Sequence, residues 1–371
     1  MKDIQVVSRD KQTFNQKKPS DAEYLLYARQ KSNRGYVSIA LEFKRLHAGR
    51  GKLTYPEYVQ FGVYNPELSK DEQTKFITSA LHWPITHICC DMNWQATTED
   101  KWLCSHILER SNVPVPRTLA VIDKAGREYL STRKISTAAE LRDFAVSQNG
   151  SPFFGKENRE IASFGAFLVL EAEKDRLHLK GEGWLDYETC MDQFIGSTSY
   201  LLQSLVSNHS FFDRYTDNLA SVRVCILLTK EGVKIPFAIL KLPTCDNLAD
   251  SFWRPGNLAC DLDPKTGIIL KARTKDHFGT TDYTDHPESN KPLVGETVPL
   301  WDQVINLVHT CSPIFAPVRY QSMDIAVTSD GPVLIEINTG GGWDLPQLAS
   351  GRGFLTDDVC EFFRACGYDK V

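Results

Sequence analysis

The chain has 371 residues, 42% of them hydrophobic and 24% charged, with a formal net charge of −5. This is the composition of a soluble globular protein, and the length suggests two or three lobes rather than one core. No basic stripe is present to attract nucleic acid, no apolar run reaches the ~18 residues of a membrane span, and the polar first twenty residues carry no secretory leader.

The start reads as a solvated polar tail that includes Lys17 and Lys18. From Asp21 to about Leu81 apolar residues recur at helical spacing, as in AEYLLYARQ and VSIALEFKRL, with breaks at Gly49, Gly51 and Pro56. A further helix spans Lys101 to Ser111 and ends at the Pro-rich turn NVPVP. Beyond Pro116 strands and helices mix. The strand candidates are TLAVI, PFFGK, FLVLEA, SVRVCILL, IPFAILKL, IILKAR, DIAVT and PVLIEIN, with hairpin turns at TKEG, DPKTG and TSDG. Helices are predicted at ISTAAELRDFAVSQ, LWDQVINLVHT and TDDVCEFFRACG; Thr137 and Glu140 have the spacing of a capping box. The fold class is therefore α+β, rich in antiparallel hairpins and without a regular βαβ array. Ten cysteines are scattered along the chain. With no CxxC pair they read as buried, reduced thiols of a cytoplasmic protein, not as disulfides or a zinc site.

The stretch Met323 to Gly342, MDIAVTSDGPVLIEINTGGG, carries the clearest chemistry. It reads as strand, tight turn and strand. Asp324 lies near the start of the first strand, and Glu336 and Asn338 near the end of the second. Being two apart, Glu336 and Asn338 face one side. Three oxygen ligands converging at one end of a hairpin suit a hard cation, magnesium, held jointly with nucleotide phosphates. A polar pair inside so apolar a strand also needs partners.

DGPVLIEIN followed by a glycine-rich loop resembles the C-terminal metal hairpin of ATP-grasp enzymes. Taken with the rest of the chain, from about Tyr24 to Phe354, it is most similar to the sugar-transfer-associated ATP-grasp branch, related to α-L-glutamate ligases. The resemblance implies an ATP-grasp fold of two α+β lobes enclosing ATP, after a helical N-terminal region. The expected division is 1–95 for that region, 96–205 for the N-terminal lobe and 206–371 for the C-terminal lobe. It also implies that Asp324, Glu336 and Asn338 hold magnesium. Lys101 matches the lysine of a "dK…gipvP" segment that meets phosphate. Lys156 matches the strand lysine of the α- and β-phosphates, although alone it reads as a solvated strand-end lysine. Ser163 and Gly165 match the loop over the phosphates, a departure from the family pattern because only one glycine remains.

YLLQSLVSNH resembles the hinge, where the backbone from Gln203 through Leu205 to Val206 would read adenine from a free strand edge. His209 matches an "nhp" element and otherwise reads as structural. Arg223 matches the cation of the "nTvRv" strand, or is a core-edge arginine paired with an acid. Asp246 and Asn247 match a substrate segment, and Asp246 to Gly256 is the expected lid. Lys271 and Arg273 are candidates to reach phosphate or acceptor, with a solvated strand face as the alternative. Gln347 matches a terminal glutamine of the branch. The implied reaction is ATP-dependent ligation of a small carboxylate to an amine (amino acid, peptide or sugar acid) through an acyl phosphate. A small-molecule kinase and a non-catalytic nucleotide-binding module would use the same site.

Overall fold

The computed structural model describes residues 19–159, 165–244, 247 and 250–371. Helices open it: Asp21–Ser32, Tyr36–Ala48, Tyr55–Gln60, Lys70–Thr74 and His82–Cys89. Their boundaries follow local chemistry. Ser20 with Glu23, Thr54 with Glu57 and Ser69 with Glu72 each form a capping box, which satisfies backbone donors that a helix start leaves open. These helices do not form a separate core. Tyr24, Ala28, Ile39, Leu46 and Tyr58 share one apolar cluster with Ile239, Ala259, Leu345 and Leu348 of the later chain.

Two seven-stranded sheets follow. The first contains β1 (Thr118–Ile122), β2 (Arg133–Ile135), β3 (Phe153–Glu157), β4 (Phe167–Ala172), β5 (Arg176–Leu179), β6 (Gly183–Asp186) and β7 (Tyr200–Ser204), in the order β2-β1-β7-β3-β4-β5-β6. Only β1 and β2 pair in parallel. The predicted helix after β2 runs Ala138–Ser147, opened by Thr137 and Glu140, and packs Leu141, Phe144 and Ala145 onto this sheet.

The second contains β8 (Ser221–Thr229), β9 (Gly232–Leu242), β10 (Leu258–Leu262), β11 (Ile269–Lys275), β12 (Thr280–Tyr283), β13 (Tyr320–Thr328) and β14 (Gly331–Thr339). Their order is β12-β11-β10-β9-β8-β13-β14, antiparallel throughout. TKEG and TSDG close hairpins in which Gly232 and Gly331 take φ of 127° and 126°, values a side chain would resist. The helix Trp301–Cys311 buries Val304, Leu307 and Val308 in the core of this sheet.

Several elements carry no clear sequence signal. The short strands β2, β5, β6 and β12, the turn of π-helix at Cys190–Ile195 and the helix Asp344–Ser350 are examples. Among the described residues no helix is long and apolar enough to cross a membrane. The nine described cysteines are free thiols.

Candidate functional site

The hairpin β13–β14 sets the site's geometry. Asp324 stands directly opposite Glu336, and Ser322 opposite Asn338. Between Asp324 and Ile325 the register shifts, leaving Ile335 as an extra residue on β14. A bulge of this kind re-aims neighbouring groups. Here the Ile335 carbonyl accepts a hydrogen bond from Lys156 Nζ at 3.4 Å. Lys156 belongs to β3, so the first sheet touches the second at this bulge.

Lys101 reaches the same place from the start of the helix Lys101–Arg110. Asp100 caps that helix, accepting from Leu103 N–H at 3.0 Å, and is also paired with Arg127. Asn158, just after β3, accepts the Lys101 N–H on its carbonyl and the Trp102 N–H on Oδ1. The two lysines are thereby fixed to one another through backbone. Lys101 Nζ lies 3.6 Å from Glu336 Oε1. Burial pushes Lys156 down to about 8, with Glu336 opposing the shift and Lys101 adding to it. A lysine near that value is still mostly charged at neutral pH.

On the other side of Asp324 stand two more cations. Arg223, on neighbouring β8, grips the carboxylate in bidentate fashion, Nε–Oδ1 at 2.8 Å and NH2–Oδ2 at 2.6 Å. Lys241 of β9 lies 3.2 Å from Asp324 Oδ2 and 3.0 Å from Asp250 Oδ2. Asp250 also accepts from Ser221 Oγ. Burial alone would raise the Asp324 carboxyl. Arg223 and Lys241 outweigh it and hold the group well below the usual carboxylate range. Burial likewise disfavours the Arg223 charge, but Asp324 more than restores it.

The donor set fits a hard cation. Asp324, Glu336 and Asn338 offer only oxygen, and Asn338 Nδ2 is buried without a hydrogen-bond partner. That orphaned amide is a donor, which a phosphate oxygen would satisfy, while the Asn338 carboxamide oxygen is the atom a cation would take. Among the described residues, no three His, Cys, Asp or Glu side chains are grouped to hold a metal; this set is two carboxylates and one carboxamide.

The glycine run after the hairpin is packed from beneath. His82 Nε2 accepts the N–H groups of Gly341 at 3.3 Å and Gly342 at 3.0 Å. A Cβ on Gly340 would come within 2.7 Å of His82 Nε2, and one on Gly341 within 2.2 Å of Ser322 Oγ. Burial drives His82 down to about 4, so the ring is neutral and free to accept.

Other sequence candidates are placed elsewhere. Lys271 Nζ donates to the Ser350 carbonyl at 3.2 Å; Arg273 pairs with Asp282 and donates to the Leu348 carbonyl at 2.9 Å. These carbonyls end the helix Asp344–Ser350, where unpaired acceptors and the helix dipole favour cations. Both side chains therefore hold a helix end. Gln347 is fully buried and uses its amide on Ile77 N–H, Ile77 C=O and Phe354 N–H. It ties the N-terminal helices to the helix Asp344–Ser350 from a fully buried position.

The expected free edge at Gln203 is absent. β7 lies between β1 and β3, so Gln203 is inside the sheet, and only Leu205 and Val206 lie beyond the strand. His209 accepts the Phe211 N–H on Nδ1, a local turn contact. Asn247 bonds Thr244, Pro255 and Asn257, closing its own loop. Gly165 takes φ of 69° before β4. Ser163 and Asp246 lie outside the described residues.

Lys241, Asp250 and His82 escaped the sequence reading. A lone lysine near the end of the apolar run IPFAILKL was the available signal for the first.

The sugar-transfer associated ATP-grasp family model matches residues 186–361. That range is narrower than the resemblance read from Tyr24 onward, and it leaves Lys101 and Lys156 outside. No curated protein matches the sequence. Solved structures with a partial likeness include the VanG D-Ala:D-Ser ligase of Enterococcus faecalis, 12% identical with a TM-score of 0.42 over 76% of this chain and 64% of that one. Phosphoribosylamine–glycine ligase of Thermotoga maritima is 10% identical with a TM-score of 0.42 over 81% and 66%. Carboxyaminoimidazole ribonucleotide synthase of Aspergillus clavatus is 13% identical with a TM-score of 0.39 over 67% and 47%. The chain spans about half the length of the carboxyaminoimidazole ribonucleotide synthases it matches. Residues 186–361, just under half of the chain, include Arg223, Lys241 and the whole β13–β14 hairpin, and over them the chain is similar to the sugar-transfer associated ATP-grasp family.

Proposed function

We propose that the protein is an ATP-dependent carboxylate–amine ligase that works through an acyl phosphate and releases ADP and phosphate. The observation that carries this reading is the meeting of Lys101 and Lys156 with Asp324, Glu336 and Arg223 where the two sheets touch. Phosphoryl transfer asks little covalent chemistry of a protein. It asks for charge and positioning, and this junction supplies both.

In this reading residues 96–205 and 206–371 are the two lobes. Lys101 and Lys156 bind the phosphates of ATP, and Leu205 and Val206 offer backbone groups to adenine. Asp324, Glu336 and Asn338 would hold magnesium, which when bound supplies neutralising charge at the terminal phosphates. Arg223 orients the γ-phosphoryl group toward the substrate carboxylate. Attack there gives an acyl phosphate and ADP; an amine then displaces phosphate. The described part of the expected lid, Asn247 and residues 250–256, would help exclude water from the reacting groups.

The test is an intercept. With ATP, magnesium, hydroxylamine and a pool of amino acids and uronic acids, a hydroxamate should form with ADP. AMP would indicate an adenylate instead. ADP with a stable phosphate ester and no hydroxamate would assign the site to a kinase.

A further inference from the structure

In the structure both oxygens of Asp324 are already taken. Arg223 holds Oδ1 and Oδ2 at 2.8 and 2.6 Å, and Lys241 adds a contact to Oδ2 at 3.2 Å. Glu336 has Lys101 at 3.6 Å. Lys156 acts on this same pair of carboxylates from β3. Among the described residues, four cations thus face three carboxylates: Arg223, Lys241, Lys101 and Lys156 against Asp324, Glu336 and Asp250.

The sign of that cluster has a consequence. A bare divalent ion entering it must displace Lys241 or Arg223 from Asp324, with no anion of its own to offer them. A metal nucleotide carries net negative charge and offers phosphate oxygens to the cations it displaces. Lys241 is the group best placed to move between partners. It is a buried, compact ammonium on a flexible stem, and Asp250 gives it a second anchor at 3.0 Å. Arg223 is bidentate, and its planar fork leaves Asp324 less readily.

We infer that Lys241 is the counter-ion that keeps Asp324 closed to free metal, and that it moves onto the incoming phosphate when metal and nucleotide enter together. The inference rests on the nucleotide reading proposed above. Lys241 is a positioning residue for the metal carboxylate in the empty site and a phosphate contact in the filled one. Asp250 sets how tightly Lys241 is held.

The test reads metal binding directly. Free Mn2+ is titrated into the nucleotide-free protein by electron paramagnetic resonance, for wild type, Lys241→Met and Asp250→Asn. Lys241→Met should bind Mn2+ at least about tenfold more tightly than wild type, and Asp250→Asn more weakly. With β,γ-imido-ATP and Mn2+ together, Lys241→Met should instead bind several-fold more weakly than wild type. A gain of metal affinity cannot come from a damaged fold. Lys241→Gln, which keeps a polar head, is the second variant should Met disturb packing, and it too should gain affinity. Unchanged or weaker free-Mn2+ binding in folded Lys241 variants would overturn the inference. Failure of wild type to bind the Mn2+–imido-ATP pair would instead overturn the nucleotide reading.

Discussion

Two pairs of cations on the second sheet look alike in sequence and are used in opposite ways. Arg223 and Lys241, on β8 and β9, end on carboxylates at the junction of the sheets. Lys271 and Arg273, two apart on β11, reach the Ser350 and Leu348 carbonyls of a helix C-terminus, and Arg273 also pairs with the exposed Asp282, away from the junction. In the proposed reading, carboxylates at the sheet junction exchange their cations for a metal and let those cations take phosphate. Lys271 and Arg273 instead hold a helix end, where unpaired carbonyls and the helix dipole favour cations. In that reading, the place of a charge at the sheet junction, more than the charge itself, sets its use.

The comparison can be broken most sharply at the hairpin. Glu336→Gln and Asn338→Ala should each lower ADP release by several kcal/mol in barrier, on the order of a hundredfold or more. Both side chains are only partly buried, so thermal unfolding should barely change. Substantial turnover in both variants at limiting magnesium would remove the hairpin from the chemistry.

The β11 pair should behave in the reverse manner. Lys271→Ala and Arg273→Ala each remove a charge-assisted bond to a helix end, a loss of about 1–2 kcal/mol of stability. Melting temperature should fall while ADP release per folded molecule is retained. A variant that melts like wild type yet no longer turns over would restore Lys271 or Arg273 to the reaction.

Much of this architecture was legible in the sequence. PVLIEIN, SVRVCILL and IPFAILKL announced themselves as strands because β-branched and aromatic residues ran between turn signals, and Thr137 with Glu140 marked a helix start. The placing of Asp324, Glu336 and Asn338 at one end of a hairpin was readable because a hairpin has a fixed register. Contacts across distant elements were not. Nothing local tells that Gln347 bonds Ile77, 270 residues away, or that His82 lies under Gly341 and Gly342. Gln203 looked like an edge because a strand's neighbours depend on sheet order, and β1 and β3 both pair with β7.

A smaller effect separates the lysines by pH. Lys156 has a value near 8 in the fold, depressed by burial, and its charged form is the one that attracts phosphate. Affinity for imido-ATP should therefore fall as pH rises from about 7 to 9.5. In Lys156→Met that fall should be shallower. An identical pH profile in the variant would show that Lys156 is not the titrating contact.

The smallest effect concerns His82. Its folded value, about 4, lies below the ordinary 6.5, so the unfolded chain binds the proton first. Stability from this group is complete above pH 6.5 and is lost as pH falls toward 4. Urea midpoints measured across that window should decline less in His82→Gln, whose side-chain oxygen can accept the same N–H groups without titrating. Equal declines would assign the acid sensitivity to other groups.

The most direct measurement is calorimetric titration of magnesium imido-ATP into wild type, Lys156→Met and Lys271→Met. The expected result is a loss of about 1–3 kcal/mol in binding for Lys156→Met, as for a charge-assisted contact, with Lys271→Met unchanged. Wild-type affinity in Lys156→Met together with weakened binding in Lys271→Met would contradict the placement of the phosphates at the junction of the two sheets.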